Sequence, residues 1–282
     1  MLIALFINSE KPKAFEIAKQ IKTFLLEHKI KLVVEDAEAK KLKLPKISSI
    51  PASKIDLIIS LGGDGTMLRV AHSYSHLKAA ILGVNIGQIG FLADVPVDNL
   101  LSSLKDLISG HYTIEKRLML EMKTGEKKQP SFLAANDIVL HRAANPHLIH
   151  FSVFIKNVYL NTFVADGLVV STPSGSTAYS MSADGPILYP TLDAVLINPI
   201  CPHTISVRPI VLTAEEEITI QYLGPQQHSV EVWADGLDSY KLSKNNSIKI
   251  KKSKLCFKLV KLKKHDYFST LRSKLGWVGK IS

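Results

Sequence analysis

The run Ser60-Leu61-Gly62-Gly63-Asp64-Gly65-Thr66-Met67-Leu68 joins three glycines, a carboxylate and a hydroxyl to the end of an apolar stretch. Glycines at 62, 63 and 65 let the backbone turn sharply and approach a ligand closely, leaving N–H groups for phosphate oxygens. Thr66 reads as the N-cap of the helix that follows, so the positive helix end also faces an anion. Asp64 stands in the middle of this cradle, where a bare carboxylate repels phosphate. Receiving a proton or binding a metal resolves the conflict, and both roles belong to phosphoryl transfer. A carboxylate that only caps the helix is the plainer alternative. No Gly-Lys-Ser/Thr closes the loop, and the glycines do not follow GxGxxG. Arg69, one turn after Gly65, is in reach of a phosphate or else solvated.

Two further segments carry polar groups in apolar surroundings. Asn136-Asp137 lies within FLAANDIVLH, where two polar residues need partners: a ligand's ribose or amide, or a cross-strand pair. DGLVVSTPSGSTAYSMSADGPILYP (166–190) is denser in donors. Asp166 is a natural acceptor from ribose hydroxyls or a carboxamide. Tyr179 offers a stacking ring and a hydroxyl, and Thr177, Ala178, Ser180, Met181 and Ser182 surround it in a short helix. Phe91 suits either a base or the core. His147 is a candidate by its loop position alone. His203 and Arg208 suit either a polar lining or, as expected here, buried structural hydrogen bonds. No His/Cys/carboxylate spacing marks a transition-metal site, and the metal ligands stay unknown.

These loops need elements to hold them. Apolar runs at 1–7, 31–35, 55–61 and 79–85 alternate with helical patterns at 12–28, 66–75 and 97–109, with 36–54 a surface loop. That order implies an α/β domain with a parallel, Rossmann-like sheet over 1–110. From 111 to 265 strand patterns follow one another: 111–123, 132–141, 149–156, 158–165, 168–172, 193–198, 205–212, 217–223, 229–235, 247–251 and 255–262. Only a short helix near 175–183 interrupts them, so the second domain is expected to be all-β and sandwich-like. Residues 266–282 form a C-terminal segment with a helix at 268–276.

The 282 residues carry 35 Lys and Arg against 25 Asp and Glu, a formal +10. The excess is local. Residues 241–282 hold thirteen basic groups and one acid, whereas the first 240 hold 22 basic and 24 acidic groups. In SIKIKKSKLCFKLVKLKK the lysines alternate with apolar residues, as in half-buried strands with a solvated lysine face, and no spaced aromatic platform accompanies them. Nucleic acid is therefore not an expected partner. No apolar run reaches 18 residues, so no membrane span is expected. Cys201 and Cys256 cannot build a disulfide framework, and a cytoplasmic location fits.

GGDGTML (62–68), NIGQIGFLAD (85–94), AANDIVLHR (134–142), the 166–187 block and INPICPHTISVRPIVL (197–212) resemble the bacterial NAD kinases in content and order. The GGDG core alone is similar to phosphofructokinases and to diacylglycerol and sphingosine kinases; the serine-threonine-tyrosine block separates them. The resemblance implies ATP-dependent phosphorylation of the 2′-hydroxyl of the adenosine ribose of NAD, with Mg²⁺ or a similar ion, in a homodimer or homotetramer. It implies that Asp64, beside Gly65, accepts the hydroxyl proton, that Asn136 and Asp137 hold the ribose and backbone groups of NAD, and that Asp166, Thr177, Ala178, Tyr179 and Ser182 line its pockets. Two positions depart from the family pattern. The usual Asn-Glu pair is Asn136-Asp137, one methylene shorter, and Leu237 replaces a polar group after Asp235-Gly236. A lipid or sugar kinase with the same loop, or a non-catalytic NAD-binding module, are the alternatives.

Overall fold

A computed structural model describes residues 1–87, 90–125, 131–224, 230–263 and 266–277. Gln88 and Ile89 of the NIGQIGFLAD motif, residue 229 of the strand expected at 229–235, and 278–282 of the C-terminal segment lie outside these residues. The chain divides into one unit of 1–116 and 258–282 and another of 117–257.

In the first unit the elements run β1 (Leu2–Ile7), α1 (Ala14–Glu27), β2 (Lys31–Val34), α2 (Ala39–Leu42), β3 (Leu57–Gly62), α3 (Asp64–Ser73), β4 (Ala80–Asn85), β5 (Val95–Pro96) and α4 (Leu100–Ile108). The strands pair in parallel in the order β4-β3-β1-β2, with β5 beside β4. Both faces of this sheet are covered, which is why its strands read as unbroken apolar runs. Ile3, Leu5 and Ile7 join Ile17, Ile21 and Leu25 of α1 and Leu100, Leu104 and Leu107 of α4 in one core cluster. Each such side chain contributes roughly 1.5–3 kcal/mol on burial. The opposite face takes α3: Met67 is buried, and Phe6 meets Tyr74 with ring centroids 4.3 Å apart.

The strand order reverses at β1. Such a sheet binds ligands at the carboxyl ends of the strands flanking the reversal. The glycine loop leaves β3 there, and the Asn8 amide is pinned to the Leu61 carbonyl at 2.8 Å.

The second unit contains β6 (Tyr112–Thr124, which enters it from the first), β7 (Phe132–Ala134), β8 (Asp137–His141), β9 (Ile149–Ile155), β10 (Val158–Ala165), β11 (Gly167–Ser171), α5 (Tyr179–Ser182), β12 (Ala194–Ile200), β13 (Ile210–Thr213), β14 (Ile218–Tyr222), β15 (Val230–Ala234), β16 (Asp238–Leu242) and β17 (Ser247–Leu262, which leaves it). β13-β12-β11-β8-β15-β16 form one antiparallel sheet. β10-β9-β14-β17 form a second antiparallel layer. Alternate residues of both, among them Ile138, Leu140, Val232, Phe151, Val153 and Ile220, share one core. That is a β-sandwich. The last helix, α6 (Tyr267–Leu275), starts at Asp266, whose carboxylate accepts the Phe268 and Ser269 amides.

Several expectations are corrected. The helix after the glycine loop begins at Asp64 rather than Thr66, with Gly63 as its N-cap. The segment 132–141 is two strands broken at Ala135-Asn136, because these backbone groups turn to other partners described below. Of 205–212 only Ile210–Thr213 is strand. His203 and Arg208 are exposed, and Arg208 donates to the carbonyls of Ile205 and Val207 in its own loop. The loop expected over 36–54 contains α2. The two lysine-bearing strands are a single strand, β17, and it is interior, pairing with β14 and β6. β16 follows the Asp235-Gly236 turn and has no counterpart in the sequence reading.

Candidate active site

In the first unit Asp64 occupies the first turn of α3, and its carboxylate reaches across to the segment after β4. Oδ2 accepts the Phe91 amide at 2.9 Å; Oδ1 accepts the Leu92 and Ala93 amides at 3.0 and 2.9 Å. A carboxylate has about four acceptor positions, so Oδ2 keeps one for another donor. The loop is built around this contact. A Cβ on Gly90 would stand 1.9 Å from Oδ1, and the Asn85 side-chain amide holds the Ala93 carbonyl from below. Gly62 is equally constrained, since a Cβ there would meet the Thr66 hydroxyl at 2.1 Å. Gly63 and Gly65 have open space around the missing Cβ, and the Gly63 amide points at the Thr66 hydroxyl at 3.5 Å.

Around this loop, Lys11 donates to the Ile86 carbonyl at 2.6 Å. Arg69 donates to the Ile7 carbonyl and to Glu35, and Tyr74 shares the same carboxylate. Burial pushes the Glu35 carboxyl upward, while Arg69 and the Tyr74 hydrogen bond oppose the shift. Arg69 therefore joins the ends of two strands to α3. The Phe91 ring leans on Tyr267 of α6, with centroids 6.1 Å apart.

The second unit repeats the clasp with different residues. Asp235, at the end of β15, accepts the amides of Ala135, Asn136 and Asp137 at 2.7, 2.8 and 2.9 Å. These bonds take the backbone of Ala135 and Asn136 out of strand pairing and separate β7 from β8. Asn136, Asp137, Ala178 and Tyr179, all expected from the sequence, line a cavity of about 370 Å³. Val139, His141, Trp233, Asp235 and Gly236 complete it, and the sequence reading assigned none of them to a site. The cavity lies on the outer face of the six-stranded sheet, where period-two alternation brings Asp137, Val139 and His141 of β8 beside Trp233 of β15.

Burial, with Asp235 as the second cause, pushes the Asp137 carboxyl up to about 7. Near neutral pH it can therefore donate as well as accept a hydrogen bond. Burial, then Cys201, Asp166 and Asp137, raises the Tyr179 hydroxyl, which stays a donor.

The other expected residues of the second unit do not line this cavity. Asp166 forms an ion pair with Arg142 at 2.7 Å. The Thr177 hydroxyl donates to the Ser174 carbonyl, and buried Arg117 donates to the Ser174 hydroxyl. Ser180 is buried against the Asn198 amide, whereas Ser182 is exposed and Met181 half-buried. His147 is exposed, its backbone amide bonded to Asn145. Among the described residues no three His, Cys, Asp or Glu side chains gather as a metal cage.

Comparison with known proteins agrees with this division. The ATP-NAD kinase N-terminal domain family matches residues 3–112 and the ATP-NAD kinase C-terminal domain family matches 135–262. The NAD kinase of Protochlamydia amoebophila is 49% identical over 280 residues, covering 99% of each chain. That of Thermoanaerobacter sp. is 38% identical over 273 residues, covering 95% of this chain and 96% of the other. An NAD kinase from Archaeoglobus fulgidus, solved in complex with ATP, superposes with a TM-score of 0.79 at 25% identity, over 99% of this chain and 100% of that one. Yeast NADH kinase, complexed with NADH, shares the fold with a TM-score of 0.86 at 24% identity, over 100% of this chain and 90% of that one. The glycine loop with its clasped carboxylate and the sandwich with its outer-face cavity lie in the two domains of one enzyme family: the chain belongs to the ATP-NAD kinases.

Proposed function

We propose that this NAD kinase transfers the γ-phosphoryl group of ATP to the 2′-hydroxyl of the adenosine ribose of NAD, with Asp64 receiving the hydroxyl proton. The observation that carries the role is the Asp64 carboxylate, fixed by three backbone amides with one acceptor position left on Oδ2. Phosphoryl transfer asks mainly for positioning and charge stabilisation, and a carboxylate held on backbone amides costs little reorganisation when the hydroxyl arrives. The start of α3, where Gly63 and Gly65 leave open space in place of a side chain, suits the phosphate chain of the donor. Asn136, Asp137 and Tyr179 supply acceptors and donors for the ribose and amide groups of NAD.

Mg²⁺ fits this chemistry as an ion that travels with the nucleotide. It would be held chiefly by the phosphate oxygens of the donor and by water, because the one acceptor position left on Asp64 is the one that receives the hydroxyl proton. When bound it offsets the negative charge of the phosphate chain.

Incubation with NAD, ATP and Mg²⁺, read with an NADP-specific dehydrogenase, tests the reading. NADP accumulates if it is right. Its absence with ATP, and again with polyphosphate as donor, removes it in favour of a non-catalytic NAD-binding module.

A further inference from the structure

We infer that Trp233 is the aromatic wall on which a planar heteroaromatic ring of the dinucleotide lies. The inference rests on the reading of the cavity as a dinucleotide pocket and assigns the residue that determines its ring preference.

Three observations meet at this side chain. First, the register Trp233↔Val139 between β15 and β8 is fixed by backbone pairing, and both residues face the cavity. Their neighbours Val232 and Ala234 point into the sandwich core, so the alternation leaves Trp233 no other face. Second, the indole N–H is already spent: Nε1 donates to Glu231 Oε2 at 3.1 Å. The polar edge of the ring is therefore tied to its own strand, and the π face is what the indole offers a ligand. Third, the rest of the wall separates apolar from polar contact. Val139 and Ala178 are apolar, whereas Asn136, Asp137 and the Tyr179 hydroxyl present hydrogen-bonding groups.

A flat ring with an exocyclic amine or amide matches that combination, because it stacks on one side and bonds at its edge. Adenine and the nicotinamide carboxamide both have this chemistry. Their ribose and phosphate groups have no π face and gain nothing from the indole. Stacking on an aromatic side chain is sensitive to its removal, and a smaller aromatic ring retains part of it.

Trp277, exposed at the end of α6, is the other tryptophan in the chain, so W277F leaves Trp233 as the single indole reporter. In W277F, NAD titration should quench or shift the emission saturably, with a midpoint near the KM for NAD. AMP and nicotinamide mononucleotide are titrated separately, and the one that reproduces the change names the ring. In parallel, W233L should raise the KM for NAD about tenfold with kcat and the KM for ATP within twofold, and W233F should recover most of the loss. An emission unmoved by saturating NAD, or a KM for NAD within twofold of wild type in W233L, overturns the inference. Wild-type NADP formation is measured alongside. If it fails, the NAD kinase reading itself falls; if it succeeds, only the role of Trp233 is in question.

Discussion

Two aspartates, Asp64 and Asp235, each accept three consecutive backbone amides, and each brings a loop next to polar side chains. A carboxylate bonded in this way is worth more than a neutral acceptor, because charge-assisted hydrogen bonds are roughly twice as strong. Asp235 also leaves a negative charge beside Asp137, whose carboxyl is buried and raised from 3.8 to about 7. The folded protein thus holds that proton more tightly than the unfolded chain does. The stability linked to it is complete below pH 4 and is lost as pH rises through about 7. Asp137→Asn removes the titration. Thermal or urea unfolding should show wild type losing about 1–2 kcal/mol relative to D137N between pH 6 and pH 8. A stability difference that stays constant over that range contradicts the assignment.

At the level of elements, each site residue is placed by a strand end and a loop returning from elsewhere. The segment 90–93 is shaped by Asp64 in α3 and by Asn85 in β4, and Gly90 is the position where a side chain cannot enter. Gly90→Ala places a methyl carbon against Asp64 Oδ1. It should lower stability by about 1–3 kcal/mol, as overpacking does, and reduce NADP formation at least tenfold. Melting temperature and turnover together check it; wild-type values in both would show that the loop yields freely. The strands and the glycine loop are legible in the sequence, because buried parallel strands and Gly-rich turns write themselves locally. So are Asn136, Asp137, Ala178 and Tyr179, which stand out as polar or turn-forming groups. Trp233, His141 and Asp235 are not, since Asp235 meets Asn136 across 99 positions of chain and only the β8–β15 register joins them. The alternation in VEVWA marks Trp233 as facing away from Val232, yet it does not say that this face bounds a cavity. The helix start is a local matter: Thr66 suits an N-cap by type, yet Gly63 takes that place and the Thr66 hydroxyl accepts the Gly63 amide from the third helical position.

Across the whole molecule, part of the basic C-terminal stretch is paired with acids. Within the second unit Lys249 pairs with Glu217, Lys251 with Glu121, and Lys252 with Asp193 and Glu215; within the first, Lys261 pairs with Asp94. The basic C-terminal stretch is matched, in part, by acids of the slightly acidic remainder. The exposed pairs of the second unit are worth roughly 0–1 kcal/mol each, so they balance charge more than they stabilise the fold, whereas Lys261–Asp94 is largely buried. Among the described residues no helix is long and apolar enough to cross a membrane. What the molecule presents for chemistry is the proposed division of labour between its units, with a clasped carboxylate at a glycine loop in one and a cavity offered for the dinucleotide in the other. Asp64→Asn tests that division most directly. Asparagine keeps an acceptor for the Leu92 and Ala93 amides, gives up the one for Phe91 and loses the basic oxygen. Turnover should fall about 10²–10⁴-fold, the usual worth of a general base. NAD affinity, measured by calorimetry, should stay within about tenfold, or roughly 1.4 kcal/mol. Turnover within tenfold of wild type, or loss of NAD binding together with activity, would contradict it.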